Sequence, residues 1–176
     1  MTVSAVPNSP FAGLQPGAVQ ELRESPSQAR AWHQWSAAEI DALALAYAAR
    51  RPLLVRGEPG TGKTQLARAA ADALGWRLHA ETIHPRFEPP ELLARFDAVR
   101  RLADAQAGAR AEEKLTDLTR YWRPGVLWKA FGWESAQPFL AADERSIDPV
   151  APAGHVVLID EIDKADSDLP NSLLEV

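Results

Sequence analysis

The chain has 176 residues, 46% hydrophobic and 24% charged, with no cysteine and a formal net charge of −5. That length suits one domain with a tail and can bury roughly 70% of the unfolded surface. The acidic balance removes any bulk pull toward nucleic acid or an anionic membrane. No apolar run is long enough for a membrane-spanning helix, and no basic start leads into an apolar stretch, so no secretory signal is expected. Without cysteine there are no disulfides, thiolate zinc sites or thiol nucleophiles, which fits a cytoplasmic protein.

Residues 1–35 read as a flexible tail, because Pro7, Pro10, Pro16 and Pro26 break any period. A domain is expected over 36–176. Ser36-Ala37-Ala38-Glu39 has the form of a capping box. Ile40, Leu43, Ala44 and Tyr47 then share one helical face, and Pro52 stops the helix. The apolar run Pro52-Leu53-Leu54-Val55 reads as a strand. The stretch Gln65–Leu74 reads as a helix with Leu66, Ala70 and Leu74 on one side and Gly75 as its stop. Alternation over Trp76–Glu81 predicts a second strand. Glu91–Ala105 reads as a helix with Leu92, Phe96 and Val99 aligned, and Ala107–Thr119 as its charged continuation. Gly125–Phe131 is a short helix, and 132–154 is loop. His155–Ile159 reads as a buried parallel strand, and a last helix starts near Asp168 or Pro170. Strands separated by helices define an α/β class.

Between the first strand and its helix lie Gly57-Glu58-Pro59-Gly60-Thr61-Gly62-Lys63-Thr64, the phosphate-loop pattern G-x-x-x-x-G-K-[ST] in the context it requires. Triphosphate oxygens need several donors at close range. The glycines let the backbone curl into a nest of inward amides, and the helix adds its N-terminal amides and positive dipole end. Lys63 is suited to the β- and γ-phosphates, and the Thr64 hydroxyl to Mg²⁺. Thr61 is expected to contribute backbone, with a solvated hydroxyl. The motif points to a nucleoside triphosphate, ATP with Mg²⁺ being the expected pair.

Asp160 and Glu161 close the last apolar run, at the strand end where open parallel sheets bind ligands. Asp160 is suited to hold Mg²⁺ beside Thr64. Glu161 is suited to orient and deprotonate an attacking water. Asp163 reads as a turn residue.

Together with Gly57–Thr64, the run Val156-Val157-Leu158-Ile159-Asp160-Glu161-Ile162-Asp163-Lys164-Ala165 resembles the AAA+ ATPases, in their MoxR-like and dynein-related branch. Pro124-Gly125-Val126-Leu127-Trp128-Lys129-Ala130 and Leu169–Glu175 are also similar to segments of that branch. The resemblance covers 36–176 and implies the N-terminal portion of a three-layer αβα P-loop module with a parallel sheet, incomplete in this chain. It implies Mg²⁺-dependent ATP hydrolysis by a ring, usually a hexamer, that remodels a protein client, often with a partner carrying a von Willebrand factor A domain. Lys63 and Glu161 would carry the catalysis.

Two features depart from that pattern. The interval between the motifs is longer than usual, the surplus falling in 95–154. Its Trp122, Trp128, Trp133 and Phe139 read first as packing aromatics and second as a client- or subunit-facing surface. The chain also stops at Val176, before the fourth strand, the arginine finger and the lid that the resemblance implies. In the family's sheet order, five-one-four-three-two, the fourth strand separates the first from the third. The expectation is therefore a truncated chain, or a product completed from elsewhere that binds ATP with weak or no turnover. Direct pairing of the strands before Gly57 and before Glu161, as in P-loop kinases, is the further option. Two other functions stay open: a nucleotide-binding adaptor and, more weakly, a phosphotransferase.

Overall fold

A computed structural model describes residues 9–22, 24, 29–58, 60–106, 117–140, 144 and 152–165. In chain order it holds strands β1 (Val19–Leu22) and β2 (Ala31–Gln34), helices α1 (Ala37–Ala49) and α2 (Lys63–Leu74), strands β3 (Arg77–Thr82) and β4 (Ala94–Phe96), helix α3 (Ala98–Gln106), and strands β5 (Trp122–Pro124) and β6 (His155–Asp160). Short helical turns fill in between. β3 and β6 pair in a parallel sheet, and β1–β2 and β4–β5 are antiparallel pairs. The chain divides into two units, one formed by residues up to Leu78 with Pro152–Val156, the other by His79–Ala151 with the residues from Val157. Among the described residues, no helix is long and apolar enough to cross a membrane.

Part of the stretch expected as a tail, 1–35, is regular structure in the first unit. β1 and β2 form a hairpin with Val19 opposite Gln34 and Leu22 opposite Ala31. Leu22 and Trp35 are buried with Leu66 and Ala69 of α2. Trp35 Nε1–H donates to Gln20 Oε1 at 3.0 Å, and Gln20 Nε2 donates to the Ala69 carbonyl at 3.3 Å. Two large apolar side chains and one glutamine thus tie the hairpin to α2. Of the prolines that suggested a tail, Pro10 and Pro16 are described and fall outside both strands, where they cost no ladder bond.

Helix α1 starts as expected. The Ser36 hydroxyl accepts from the Glu39 amide at 3.2 Å, and Glu39 Oε2 accepts from the Ser36 amide at 2.8 Å. Ile40 and Leu43 pack on the core, and Ala44 is buried. Arg50 ends the helix in the left-handed region, φ 52°. Helix α2 runs between Gly62 (φ 87°) and Gly75 (φ 65°), burying Leu66, Ala69, Ala70 and Ala71. The Arg77 amide then donates to the Gly154 carbonyl at 3.0 Å.

The expected strand Pro52–Val55 is not formed. Residues 51–58 have no regular structure, and Leu53, Leu54 and Val55 are exposed. A strand needs a neighbour to satisfy its ladder groups. The resemblance places this strand's neighbours after the acidic one, and no described residue supplies them. The option of direct pairing with the strand ending at Asp160 is likewise not realised among the described residues, where β6 pairs with β3.

In the second unit the Ile83 amide donates to the Asp160 carbonyl at 2.9 Å, closing the β3–β6 pair. Ile83, Phe87, Leu92, Val126 and Leu127 form the core, with Val157, Ile159 and Ile162 against it. β6 is half-buried throughout rather than fully buried, as follows for a strand with one neighbour among the described residues. The helix expected over Glu91–Ala105 is broken. Pro89–Leu92 is a 3-10 turn that buries Leu92, Ala94–Phe96 is a strand opposite Trp122–Pro124, and α3 begins only at Ala98. Asp97 Oδ1 accepts from the Arg100 amide at 2.8 Å and marks that start. Val99, expected on the buried face, is 80% exposed.

Val126–Phe131 is helical as expected, with Gly125 at its N-cap. The loop expected over 132–154 contains a helical turn, Trp133–Ala136, which buries Trp133 and Ala136, and a 3-10 turn at Gln137–Phe139. Trp128 lies 5.3 Å from the Phe139 ring and Phe96 lies 5.3 Å from Trp122, centroid to centroid. Most of Ala107–Thr119 and the last expected helix lie outside the described residues.

Candidate functional site

The phosphate loop belongs to the first unit and the acidic strand end to the second. Of the eight loop residues, Pro59 lies outside the described residues. Gly60 (φ 81°) and Gly62 (φ 87°) take the left-handed backbone that side chains resist. A Cβ on Gly57 would meet Thr61 Oγ1 at 3.0 Å, so the loop is drawn tight there. Helix α2 starts at Lys63, which puts Lys63 and Thr64 in its first turn. The first-turn amides are those a helix leaves without carbonyl partners, and they carry its positive dipole end.

The loop closes on its own lysine. Lys63 Nζ donates to the Gly57 and Glu58 carbonyls, each at 2.8 Å. The Thr61 hydroxyl, expected to be solvated, instead donates to the Glu58 carbonyl at 2.8 Å. The ammonium thus sits where loop oxygens converge, and an arriving phosphate competes with two neutral carbonyls for it. A charged acceptor makes the stronger bond. Left-handed glycines, a lysine in the loop's curl and a helix N-terminus fit a polyphosphate.

At the other motif, Asp160 is the last residue of β6 and is half-buried, whereas Glu161 is exposed. Glu161 adopts φ 58°, ψ 35°, a left-handed conformation on a non-glycine residue. Its amide donates to Asp160 Oδ1 at 2.9 Å. The 3-10 turn Ile162–Lys164 follows, with the Lys164 amide donating to the Glu161 carbonyl at 2.9 Å and Lys164 Nζ to Glu161 Oε2 at 2.7 Å. The bond to Glu161 holds the Lys164 ammonium above its usual range. Lys164 has no place in the sequence-level site. Its spacing of three from Glu161 was the available signal.

Among the described residues, no three acidic or imidazole side chains cluster as a metal site. Mg²⁺ binds hard oxygens, keeps several waters and is commonly shared with substrate phosphates. The Thr64 hydroxyl and the Asp160 carboxylate are donors of that kind.

The family model for the AAA domain of the dynein-related subfamily matches residues 52–176. The match begins just before the phosphate loop and includes both motifs, whereas β1, β2 and α1 precede it. Comparison with curated proteins and with solved structures returns no significant match. A family match over most of the chain, on top of a phosphate loop at a helix start and an acidic strand end, places the chain in the dynein-related subfamily of AAA domains, ATP-binding P-loop modules of the α/β class.

Proposed function

We propose that the chain binds ATP with Mg²⁺ at Gly57–Thr64 and, assembled in a ring, hydrolyses it to remodel or activate a protein client in the manner of MoxR-like ATPases. The observation that carries this reading is the loop itself: Gly60 and Gly62 in left-handed conformations, Lys63 in the curl, and α2 starting at Lys63. In the proposed division of labour, Lys63 leaves its two carbonyls for the β- and γ-phosphate oxygens. The first-turn amides of α2 hold the phosphates in place. Thr64 and Asp160 are the side chains that would hold Mg²⁺. The metal, when bound, neutralises charge on the phosphate oxygens. Glu161 orients a water and takes its proton.

A cytoplasmic hexameric ring and a partner with a von Willebrand factor A domain belong to the same proposal, supported by the subfamily match and, for the compartment, by the absence of cysteine. The test is titration with a fluorescent ATP analogue, followed by phosphate release. Wild type binds and Lys63→Ala does not. Glu161→Gln binds without releasing phosphate. Equal affinity in wild type and Lys63→Ala removes the loop's role. Tight binding with no turnover in wild type moves the function to a nucleotide-binding adaptor.

A further inference from the structure

We propose that Lys164 is a positioning residue that restrains Glu161, and that Glu161 engages a water only when this ion pair opens. The inference rests on the assignment of Glu161 as the water-activating carboxylate. It starts from backbone geometry. Glu161 leaves the strand in a left-handed conformation, and this turns the chain directly into a 3-10 turn. A 3-10 turn closes with bonds between residues three apart. Glu161 is the cap that precedes this turn and Lys164 its last residue, and their main chains are joined by the amide-to-carbonyl bond at 2.9 Å. Lys164 Nζ then reaches Glu161 Oε2 at 2.7 Å without further ordering of the backbone.

The chemistry of the pair opposes the chemistry of the base. A carboxylate that takes a proton from water needs a free, electron-rich oxygen pointed at it. An ammonium on one oxygen withdraws electron density and fixes the carboxylate's direction. Both side chains are about half exposed, so solvent screens the pair and it can open readily. The restraint is accordingly modest, about twofold to fivefold in the fraction of Glu161 free to act.

Two measurements on the full chain test it. The first is steady-state or single-turnover ATP hydrolysis by wild type, Lys164→Met, Lys164→Arg and Glu161→Gln. Lys164→Met, which keeps the stem and drops the charge, should raise kcat about twofold to fivefold with KM for ATP unchanged. Lys164→Arg, which keeps a cation, should stay at the wild-type rate. A lysine that only supports the turn would lower kcat or leave it unchanged on removal, and either result overturns the proposal. The second is a double-mutant cycle on urea unfolding with Lys164→Met and Glu161→Gln, which needs no turnover. The single and double variants should be non-additive, by about twofold to fivefold in the unfolding equilibrium. Additivity overturns the ion pair, whatever the hydrolysis data show. Wild-type hydrolysis in Glu161→Gln has a different meaning: it removes the water-activating role of Glu161, and the restraint with it.

Discussion

Gly125→Ala is the substitution whose cost the structure defines most closely. A Cβ built on Gly125 lies 2.3 Å from the Leu92 carbonyl oxygen and 2.4 Å from that of Glu91. Carbon and carbonyl oxygen normally meet no closer than about 3.3 Å, so one side must retreat by about 1 Å. Both obstacles are backbone, in the 3-10 turn that buries Leu92, and neither can rotate away. The Gly125 amide also donates to the Leu93 carbonyl at 2.7 Å, a bond that the retreat would lengthen. Overpacking costs about 1–3 kcal/mol and a lost hydrogen bond about 1 kcal/mol. The expected loss is about 3 kcal/mol, a large part of the roughly 5–15 kcal/mol that holds a domain together. At about 2–4 °C per kcal/mol for a chain of this size, Tm should fall by about 6–12 °C. Circular dichroism melts and urea unfolding measure it. Gly13→Ala is the control, because a Cβ there meets nothing within 4 Å, and its effect should stay within about 0.5 kcal/mol. A Gly125→Ala protein that melts with wild type would refute the packing of this turn against the helix start at Val126.

Three further outcomes are expected. Ser36→Ala removes the reciprocal cap of α1 and should cost about 1 kcal/mol in urea unfolding; no loss would mean that the cap is not formed in solution. Glu161→Gly should be more stable than Glu161→Ala by about 1 kcal/mol, because only glycine takes φ 58° without a Cβ penalty; the reverse order would remove the left-handed turn from the account. The third concerns pH. Burial, and then the Arg77 charge, hold His155 below its usual value of 6.5. The folded state therefore binds this proton less readily than the unfolded state, and stability falls as pH drops through 6.5 until the folded His155 itself protonates. His155→Asn should flatten the pH dependence of the urea midpoint between pH 7.5 and 5.5, and an unchanged slope would count against the assigned environment.

Which parts of the fold were legible in the sequence follows from how local their causes are. The capping box at Ser36 and Glu39, the glycine stops of α2 and the phosphate loop depend on residues within one turn of each other, so their chemistry is visible in the residue order. The β1–β2 hairpin is not visible in that way. Its strands have four residues each, too few for a clear period, and they are held by Trp35 and Gln20 reaching α2, a contact across 49 residues in the case of Gln20 and Ala69. The helix expected from Glu91 failed for the same reason. Leu92, Phe96 and Val99 have helical spacing, but pairing with Trp122–Pro124 takes Phe96 into a strand and leaves Val99 in solvent. Pro52–Val55 shows the converse case, an apolar strand pattern with no partner among the described residues to complete it. At the candidate site the residue types were legible and their arrangement was not. Lys63 bonding its own loop and Lys164 bonding Glu161 are both matters of backbone conformation, set by glycine at 60 and 62 and by the left-handed turn at 161.

The central claim is that Gly57–Thr64 holds ATP, and the most direct test is equilibrium binding of ATP in the presence of Mg²⁺ to wild type and Lys63→Ala, measured by calorimetry. Among the described residues, Lys63 Nζ bonds the loop through two exposed hydrogen bonds to carbonyls, so its loss should leave the fold intact, as a parallel melt would show. The account predicts saturable one-to-one binding to wild type and at least a tenfold weaker Kd, about 1.4 kcal/mol or more, for the folded variant. Equal affinity in the two proteins, or no binding to folded wild type, would contradict it.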